Sequence, residues 1–489
     1  MECTIKTPLG QVRGSMADGV AAFKGIPYAS PPFGPNRFGP PVPAEPWDGV
    51  RDALAFGPTA PQPSYREPFD KILDNPVVPG QDCLNLNVWT PEPGSARLPV
   101  MVWIHGGAFT NGSAAVPTYD GASFARDGVV CVTINYRLGV EGFGHVAGAP
   151  ANRGLLDQVA AAEWVRSSIA SFGGDPDNVT IFGESAGAMS ATSLLSMPRA
   201  QGLFRRVIAQ SGAGHHVISA ATAEKIAAML ATKLGVPPTR DALAAVPAEA
   251  LIEAQSAVSV DALFDRDPER WGEVVLNQMA WEPVVDGEVL PTRPIDGIAA
   301  GAGAGVDLMT GTTTEEQRLF FVPTGLIDLF TDEVVSAAAA GYGLGVEGQA
   351  VYRSARPGGS PGDVFAALST DWFFRIPALR LAEARGGHVY EFAWRSPAFD
   401  GRLGACHALE LAFVFNTLAA ERDTLLVGHE APQALADAMH ASWVSFASSG
   451  DPGWPRYEPE RRATMRFGDT CEVVDDLRGE ERRLWEGIR

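Results

Sequence analysis

The sequence predicts an α/β fold in which a central, mostly parallel sheet is flanked by helices. Three short runs rich in Val and Ile, at residues 98–104, 129–135 and 179–182, have the continuous apolar character of strands buried on both faces. Between the last two runs, apolar residues recur at helical spacing from Leu155 to Ile169, and Gly173 follows as a stop signal. The alternation of strand, helix and strand is typical of βαβ units, and therefore of a parallel sheet.

The rest of the chain extends this pattern without a composition break that would separate a second domain. We therefore predict one domain over residues 1–489, with a mainly helical, cap-like region within residues 221–380. The Gly/Ala-rich residues 291–305 are predicted to be a connector. Further strands are predicted at residues 207–210, 307–311 and 388–394, and further helices at residues 186–196 and 431–448.

Charge and cysteine content exclude several classes of protein. The formal net charge of −20 would repel nucleic acid and anionic membranes, so neither is an expected partner. No apolar run is long enough to span a bilayer, and no signal peptide is recognised. The five cysteines form no CxxC pair and no even disulfide framework, which favours reduced thiols and a cytoplasmic location. No metal site is predicted.

The strongest chemical signal is the segment Gly183-Glu184-Ser185-Ala186-Gly187, which has the pattern G-x-S-x-G. A predicted strand precedes it and a predicted helix of small residues follows it, which is the setting of a nucleophile elbow. The flanking glycines leave room for a sharp turn that would expose the serine hydroxyl beside a helix N-terminus. This context predicts Ser185 as a nucleophile.

A second motif, His105-Gly-Gly-Ala-Phe109, directly follows the strand that ends at Ile104. Small residues here would let backbone N–H groups approach a substrate oxygen and, with the N–H of Ala186, form an oxyanion hole. A base and an acid are then required, in the order serine, acid, histidine. That order excludes His105 and His145 but leaves six candidates for the base, namely His215, His216, His388, His407, His429 and His440.

Several longer motifs together resemble the type-B carboxylesterase family, the cholinesterase-like branch of the α/β-hydrolases, and in particular its bacterial para-nitrobenzyl-esterase-like members. The resemblance covers nearly the whole chain. Its landmarks are FKGIPYA (23–29), DCLNLNVW (82–89), WIHGGAF (103–109), NYRLG (135–139), GLLDQ (154–158), FGGDP (172–176), VTIFGESAG (179–187) and CHALE (406–410).

The resemblance implies an α/β-hydrolase fold and a serine carboxylesterase that needs no cofactor. It implies a triad of Ser185, Glu316 and His407, with Glu315 as the alternative acid because the two glutamates are adjacent. It also implies further site residues, which are the oxyanion donors Gly107, Ala108 and Ala186 and the supporting residues Ser211 and Glu184.

Apolar residues near these motifs are expected to line the substrate pocket, namely Phe109, Met189, Leu319 and Phe320. One departure from the family concerns Gln81, where the family often has glutamate. It predicts that the ion pair of Arg37 is weakened or moves to Asp82.

The expected partner is a small-molecule ester, and the expected oligomeric state is a monomer. An amidase, a carbamate hydrolase or another specialised ester hydrolase could use the same triad, because the acyl-enzyme chemistry is shared. A non-catalytic binding protein of the cholinesterase-like fold is a more remote alternative, since nucleophile, acid, base and oxyanion turn are all present.

Overall fold

The computed structural model describes residues 1–420 and 425–489. Its strands are β1 (Glu2–Thr7), β2 (Gly10–Ala17), β3 (Val20–Pro27), β4 (Val50–Asp52), β5 (Asn85–Thr90), β6 (Leu98–Ile104), β7 (Val130–Ile134), β8 (Gly174–Glu184), β9 (Arg206–Gln210), β10 (Ile218–Ser219), β11 (Val284–Val285), β12 (Asp307–Thr313), β13 (His388–Phe392), β14 (Ala463–Phe467) and β15 (Glu472–Asp475).

One large sheet has the strand order β1-β2-β3-β5-β7-β6-β8-β9-β12-β13-β14-β15, with β4 paired to β2, and β10 and β11 form a separate pair. From β7 to β14 each neighbouring pair is parallel. The pairs at the two ends of the sheet are antiparallel, except that β4 runs parallel to β2. The predicted, mostly parallel central sheet is therefore confirmed.

Helices cover both faces of the sheet. They are α1 (Ala122–Arg126), α2 (Gly139–Phe143), α3 (Arg153–Ser168), α4 (Ala186–Ser196), α5 (Ala220–Leu234), α6 (Arg240–Ala244), α7 (Ala248–Phe264), α8 (Pro268–Trp271), α9 (Val274–Asn277), α10 (Pro294–Ala299), α11 (Arg318–Phe321), α12 (Asp332–Gly341), α13 (Val346–Ser354), α14 (Pro361–Thr370), α15 (Ile376–Arg385), α16 (Leu411–Val414), α17 (Gln433–Ser449) and α18 (Gly479–Arg483), with a π-helical turn at Asp371–Arg375. Among the described residues, no helix is long and apolar enough to cross a membrane.

The core is divided by the sheet, and β6 shows why its sequence is apolar throughout. Val100, Val102 and Ile104 pack in the core on one face, whereas Met101 and Trp103 pack in the core on the other. Successive side chains of a strand point to opposite faces, so a strand covered on both sides is apolar at every position. The three apolar runs of the sequence correspond to β6, β7 and part of β8.

Two local expectations are wrong. The predicted connector over residues 291–305 contains helix α10, which begins at Pro294, a residue preorganised for the first turn of a helix. Arg37 pairs with neither Gln81 nor Asp82: its Nε donates to Glu141 Oε1 at 2.8 Å, and both side chains are buried. Glu141 lies more than a hundred residues away in sequence, so no local motif pointed to it.

The region at residues 221–380 is mainly helical but is not continuous. Helices α5 to α10 precede strand β12 of the central sheet, and α11 to α15 follow it. Gly235 closes α5 in the left-handed conformation with φ of +67°, as its position after the helix predicts.

Candidate active site

Ser185 stands at a strained turn between β8 and α4. Its φ of +56° and ψ of −123° lie outside the regions that L-residues usually adopt. The turn needs glycine on both sides: a Cβ atom on Gly187 would lie 2.0 Å from the carbonyl oxygen of Ile104, and one on Gly183 would lie 2.5 Å from the carbonyl carbon of Gly187. The Ser185 N–H donates to Gln210 O at 2.9 Å, which fixes the turn against β9. The serine is therefore held at the end of the sheet and lines a cavity.

The turn after β6 presents backbone N–H groups to the same cavity. Gly107 and Ala108 have φ values of +110° and +52°, and the N–H groups of Thr110 and Asn111 donate to Gly107 O. In the described chain the N–H groups of Gly107 and Ala108 donate to no other protein group. Ala186 is the first residue of α4, so its N–H has no acceptor within the helix. Gly107 and Ala108 lie on the cavity wall with Ser185.

His407 and Glu316 form a short, buried contact. The distance from His407 Nδ1 to Glu316 Oε2 is 2.6 Å. The other oxygen of Glu316, Oε1, accepts from Ser211 Oγ at 2.6 Å and from the Thr313 N–H at 2.7 Å. Glu316 is completely buried, so these three partners hold its carboxylate in one orientation. Ser211 thus lies where a residue that supports the acid should lie.

Glu315, the alternative acid, has different surroundings. Its carboxylate pairs with Arg318 at 2.9 Å and with Arg395. It also accepts from the Ala405 N–H at 3.0 Å. In the part of the chain that the structure describes, it forms no hydrogen bond or ion pair with the imidazole of His407, which Glu316 contacts directly.

Glu184 provides a second carboxylate for His407. Its Oε1 lies 3.0 Å from His407 Nε2, and no hydrogen bond joins that nitrogen to Ser185 Oγ in the described chain. Burial lowers the pKa of His407, but the Coulombic attraction and hydrogen bonding of Glu184 and Glu316 outweigh it and hold the pKa well above its usual range. Burial raises the pKa of Glu184 above its usual value, although His407 opposes this effect.

Glu410 is a buried acid that sequence reasoning missed. Gln210 Nε2 donates to its Oε1 at 3.3 Å, while its Oε2 has no hydrogen-bond partner in the described chain. Burial, together with the negative charges of Glu184 and Glu316, raises the pKa of Glu410 to about 8. The sequence feature that could have pointed to Glu410 is its position three residues after His407. A carboxyl group beside two others is stabilised in its neutral form.

The cavity beside Ser185 has a volume of about 200 Å³, and Ser185, His407 and Glu184 share its wall. Of the four apolar residues expected to line a pocket, Leu319 and Phe320 do so. Phe109 is buried against Phe143, with ring centroids 4.7 Å apart, and Met189 is buried in α4; neither lines this cavity. The other aliphatic lining residues larger than alanine are Ile72, Leu73, Val116, Leu411, Leu426 and Val427.

Phe374 was also missed, because its position depends on the π-helical turn between α14 and α15. Its ring centroid lies 4.8 Å from that of His407, and the ring of Phe320 lies 5.4 Å away. The two aromatic rings reduce the contact of the imidazole with water, which strengthens its interactions with the carboxylates.

Comparison with known proteins decides the family. The model of the carboxylesterase family matches residues 2–485. The chain belongs to the carboxylesterase family. It is 39% identical to the para-nitrobenzyl esterase of Bacillus subtilis (strain 168), over 98% of this chain and 97% of the relative. It is 36% identical to the phenmedipham hydrolase of Pseudarthrobacter oxydans, over 96% of each chain.

A solved structure of a carboxylesterase has the same fold as this chain. The crystal structure of Geobacillus stearothermophilus carboxylesterase EST55 at pH 6.2 superimposes with a TM-score of 0.86, at 38% identity and over 99% of both chains. The α/β-hydrolase fold expected from the sequence is thereby confirmed. So is the expectation of an enzyme that hydrolyses carboxylic esters, because the relatives are esterases.

Proposed function

We propose that the chain is a serine carboxylesterase in which Ser185 is the nucleophile, His407 the base and Glu316 the acid. One observation carries the assignment: His407 lines the same cavity as the strained Ser185 and contacts the buried Glu316 at 2.6 Å. The strained turn and the buried carboxylate each require local support, which is the arrangement expected of a preorganised site.

In the proposed acylation step, His407 accepts the proton of the Ser185 hydroxyl through Nε2 as Oγ attacks the ester carbonyl. Glu316 holds the imidazole at Nδ1 and stabilises the imidazolium. The N–H groups of Gly107, Ala108 and Ala186 bind the oxyanion of the tetrahedral intermediate. The intermediate then collapses, His407 protonates the departing alkoxide, and the acyl group remains on Ser185.

Deacylation repeats these steps with water as the nucleophile. His407 removes a proton from water, the hydroxide attacks the acyl-enzyme, and His407 returns the proton to Ser185 as the acid leaves.

The chain's similarity to a para-nitrobenzyl esterase supports para-nitrobenzyl esters as substrates. The small, mainly apolar cavity supports short or medium acyl chains.

A phosphorylating probe tests the nucleophile directly. Diethyl para-nitrophenyl phosphate should react once, releasing para-nitrophenolate and leaving a diethylphosphoryl group on Oγ of Ser185, which peptide mass spectrometry locates. Ser190 is the internal control, because it lies in α4 but is buried and bonded to Gln158 at 3.0 Å. An adduct on another serine, or no adduct in active enzyme, would reject Ser185 as the nucleophile.

We also propose that the chain is one α/β-hydrolase domain whose helices at residues 221–380 contribute to the cover of the cavity, since Leu319 and Phe320 belong to that region.

For the oligomeric state and the location of the protein, we propose a monomer in the cytoplasm. The five cysteines are free thiols, which supports a reducing compartment. Sedimentation velocity tests the oligomeric state: a single species near 51.8 kDa supports the monomer, and a species of twice that mass rejects it.

A further inference from the structure

A second cavity lies behind the turn that carries Glu316, and it is lined by arginines. Its volume is about 180 Å³, and four guanidinium groups face it, those of Arg318, Arg356, Arg395 and Arg478. Two carboxylates share the wall, those of Glu315 and Asp363. The lining residues thus include two more positive than negative side chains, in a chain whose net charge is −20.

The neighbouring carboxylates leave several guanidinium donors unused. Arg356 makes its hydrogen bonds through Nη1, to Glu481 and to Tyr352 O, which leaves its Nε and Nη2 without protein partners in the described chain. Arg478 Nη2 bonds Glu391, but its Nε is buried and has no hydrogen-bond partner among the described residues. The unused donors within reach of a ligand are therefore those of Arg356, while Arg478 adds a positive charge to the wall.

The cavity is shielded at its base and open at its mouth. The side chains of Arg318, Arg356 and Arg478 are 16%, 23% and 19% exposed, whereas that of Arg395 is 56% exposed. A charged ligand can therefore enter past Arg395 and reach groups that are poorly solvated. Ion pairs and charge-assisted hydrogen bonds are stronger there than at an open surface.

We propose that this cavity binds a small, multiply charged oxyanion, of which inorganic phosphate is the simplest example. A guanidinium group presents a planar fork of N–H donors that matches two oxygens of a phosphate group. Such an anion would accept from the unused Nε and Nη2 of Arg356, with Arg478 contributing its positive charge, and would be held at the mouth by Arg395. None of these arginines belongs to the proposed triad, so the site can be tested without measuring ester hydrolysis.

The anion site touches the catalytic machinery through Glu315. The carboxylate of Glu315 accepts from the Ala405 N–H at 3.0 Å, and the Glu315 N–H donates to Ala405 O at 2.8 Å. These bonds join the turn before Glu316 to the segment before His407. An anion that binds Arg395 draws it partly from Glu315, so occupancy changes the charge environment one residue from the acid.

Calorimetric titration with sodium phosphate tests the proposal, at fixed pH and at an ionic strength held constant with sodium chloride. The intact protein should give a saturable binding heat that sodium chloride does not produce. Arg395→Gln should weaken phosphate binding by about tenfold or more, since it removes one charge-assisted contact. Arg97→Gln is the matched control: Arg97 also pairs with carboxylates but lies outside the cavity, so its affinity should equal that of the wild type.

Arg356→Gln is the second variant, for use if Arg395→Gln does not fold, and it should weaken binding to a similar degree.

Thermal melting alone would not show whether phosphate binds in this cavity, because phosphate stabilises many proteins by exclusion from their surface. Adenosine monophosphate in place of phosphate distinguishes an esterified phosphate from the free ion as the preferred ligand. Absence of a phosphate-specific heat, or equal affinity in both arginine variants and the wild type, would overturn the proposal.

Discussion

Glu315 and Glu316 are neighbours in sequence, yet the residues around them give them different chemistry. Glu316 is buried and contacts His407, whereas Glu315 is held by Arg318 and Arg395. Glu316→Gln should lower kcat for para-nitrophenyl acetate by about 10⁴-fold, as loss of the orienting acid does in other triads. Glu315→Gln, the matched control, should retain most of the activity. The opposite order of the two effects would make Glu315 the acid.

The pH dependence of catalysis depends on the two carboxylates next to His407. The base must be neutral to accept a proton, and the Coulombic pull of Glu184 and Glu316 exceeds the effect of burial and raises its pKa. We therefore expect kcat/KM to fall as the pH decreases through this raised pKa.

Glu184→Gln removes one of these negative charges and should move the acid limb of the kcat/KM profile to lower pH. Glu163→Gln, at a half-exposed glutamate of α3 that does not line the cavity, should leave the profile unchanged. An acid limb that stays in place or moves to higher pH in Glu184→Gln would show that Glu184 does not set the protonation of His407.

At this scale the sequence could supply the identities of the site residues but not their contacts. The G-x-S-x-G pattern and the order of the triad are local signals, whereas the choice of His407 among six histidines required the resemblance to a family. The contacts of Glu410 and Phe374 with the site depend on tertiary packing, and a buried glutamate in sequence looks like an exposed one. The 3.0 Å contact between Glu184 and His407 also depends on tertiary packing, so the sequence could not predict it.

At the scale of the element, the junction of β8 and α4 leaves no room for a side chain at Gly187. A methyl group on Gly187 would collide with the backbone of β6, which cannot move without disturbing the sheet. Gly187→Ala should lower the free energy of unfolding by roughly 3 kcal/mol, the cost typical of overpacking. Chemical denaturation measures this difference.

Gly341→Ala is the control for that substitution. Gly341 ends α12, is exposed, and has no atom within 4 Å of the place where a Cβ would stand. Its replacement should leave stability unchanged or raise it by up to about 1 kcal/mol. Equal stability of Gly187→Ala and the wild type would contradict the close approach of β6 and α4.

Strands and helices with a regular apolar pattern could be predicted from the sequence, whereas elements marked by only one residue could not. Strands β6 and β7 and helix α3 fall within two residues of their predicted limits, because each buries a regular apolar pattern. Helix α10 was missed since its composition is that of a loop, and only Pro294 marks its start. The π-helical turn at Asp371–Arg375 has no sequence signal of its own, although it brings Phe374 to His407.

At the scale of the whole molecule, the sheet brings together residues from four distant parts of the chain. Ser185 follows β8, the oxyanion turn follows β6, Glu316 follows β12 and His407 follows β13. Parallel strands end at the same edge of a sheet, so the topology places these loops together. The sequence placed Ser185 and the oxyanion turn directly after predicted parallel strands, whereas the acid and the base were implied only by the family resemblance. The pairing of Arg37 with Glu141 across the fold could be seen only in three dimensions.

The most direct test of the account compares purified wild type with Ser185→Ala on para-nitrophenyl acetate, butyrate and octanoate. We predict that the wild type hydrolyses these esters, with highest kcat/KM at short or medium chain length. Ser185→Ala should lose activity by about a millionfold, with circular dichroism like that of the wild type. Hydrolysis that survives the substitution in a correctly folded variant would contradict the assignment of Ser185.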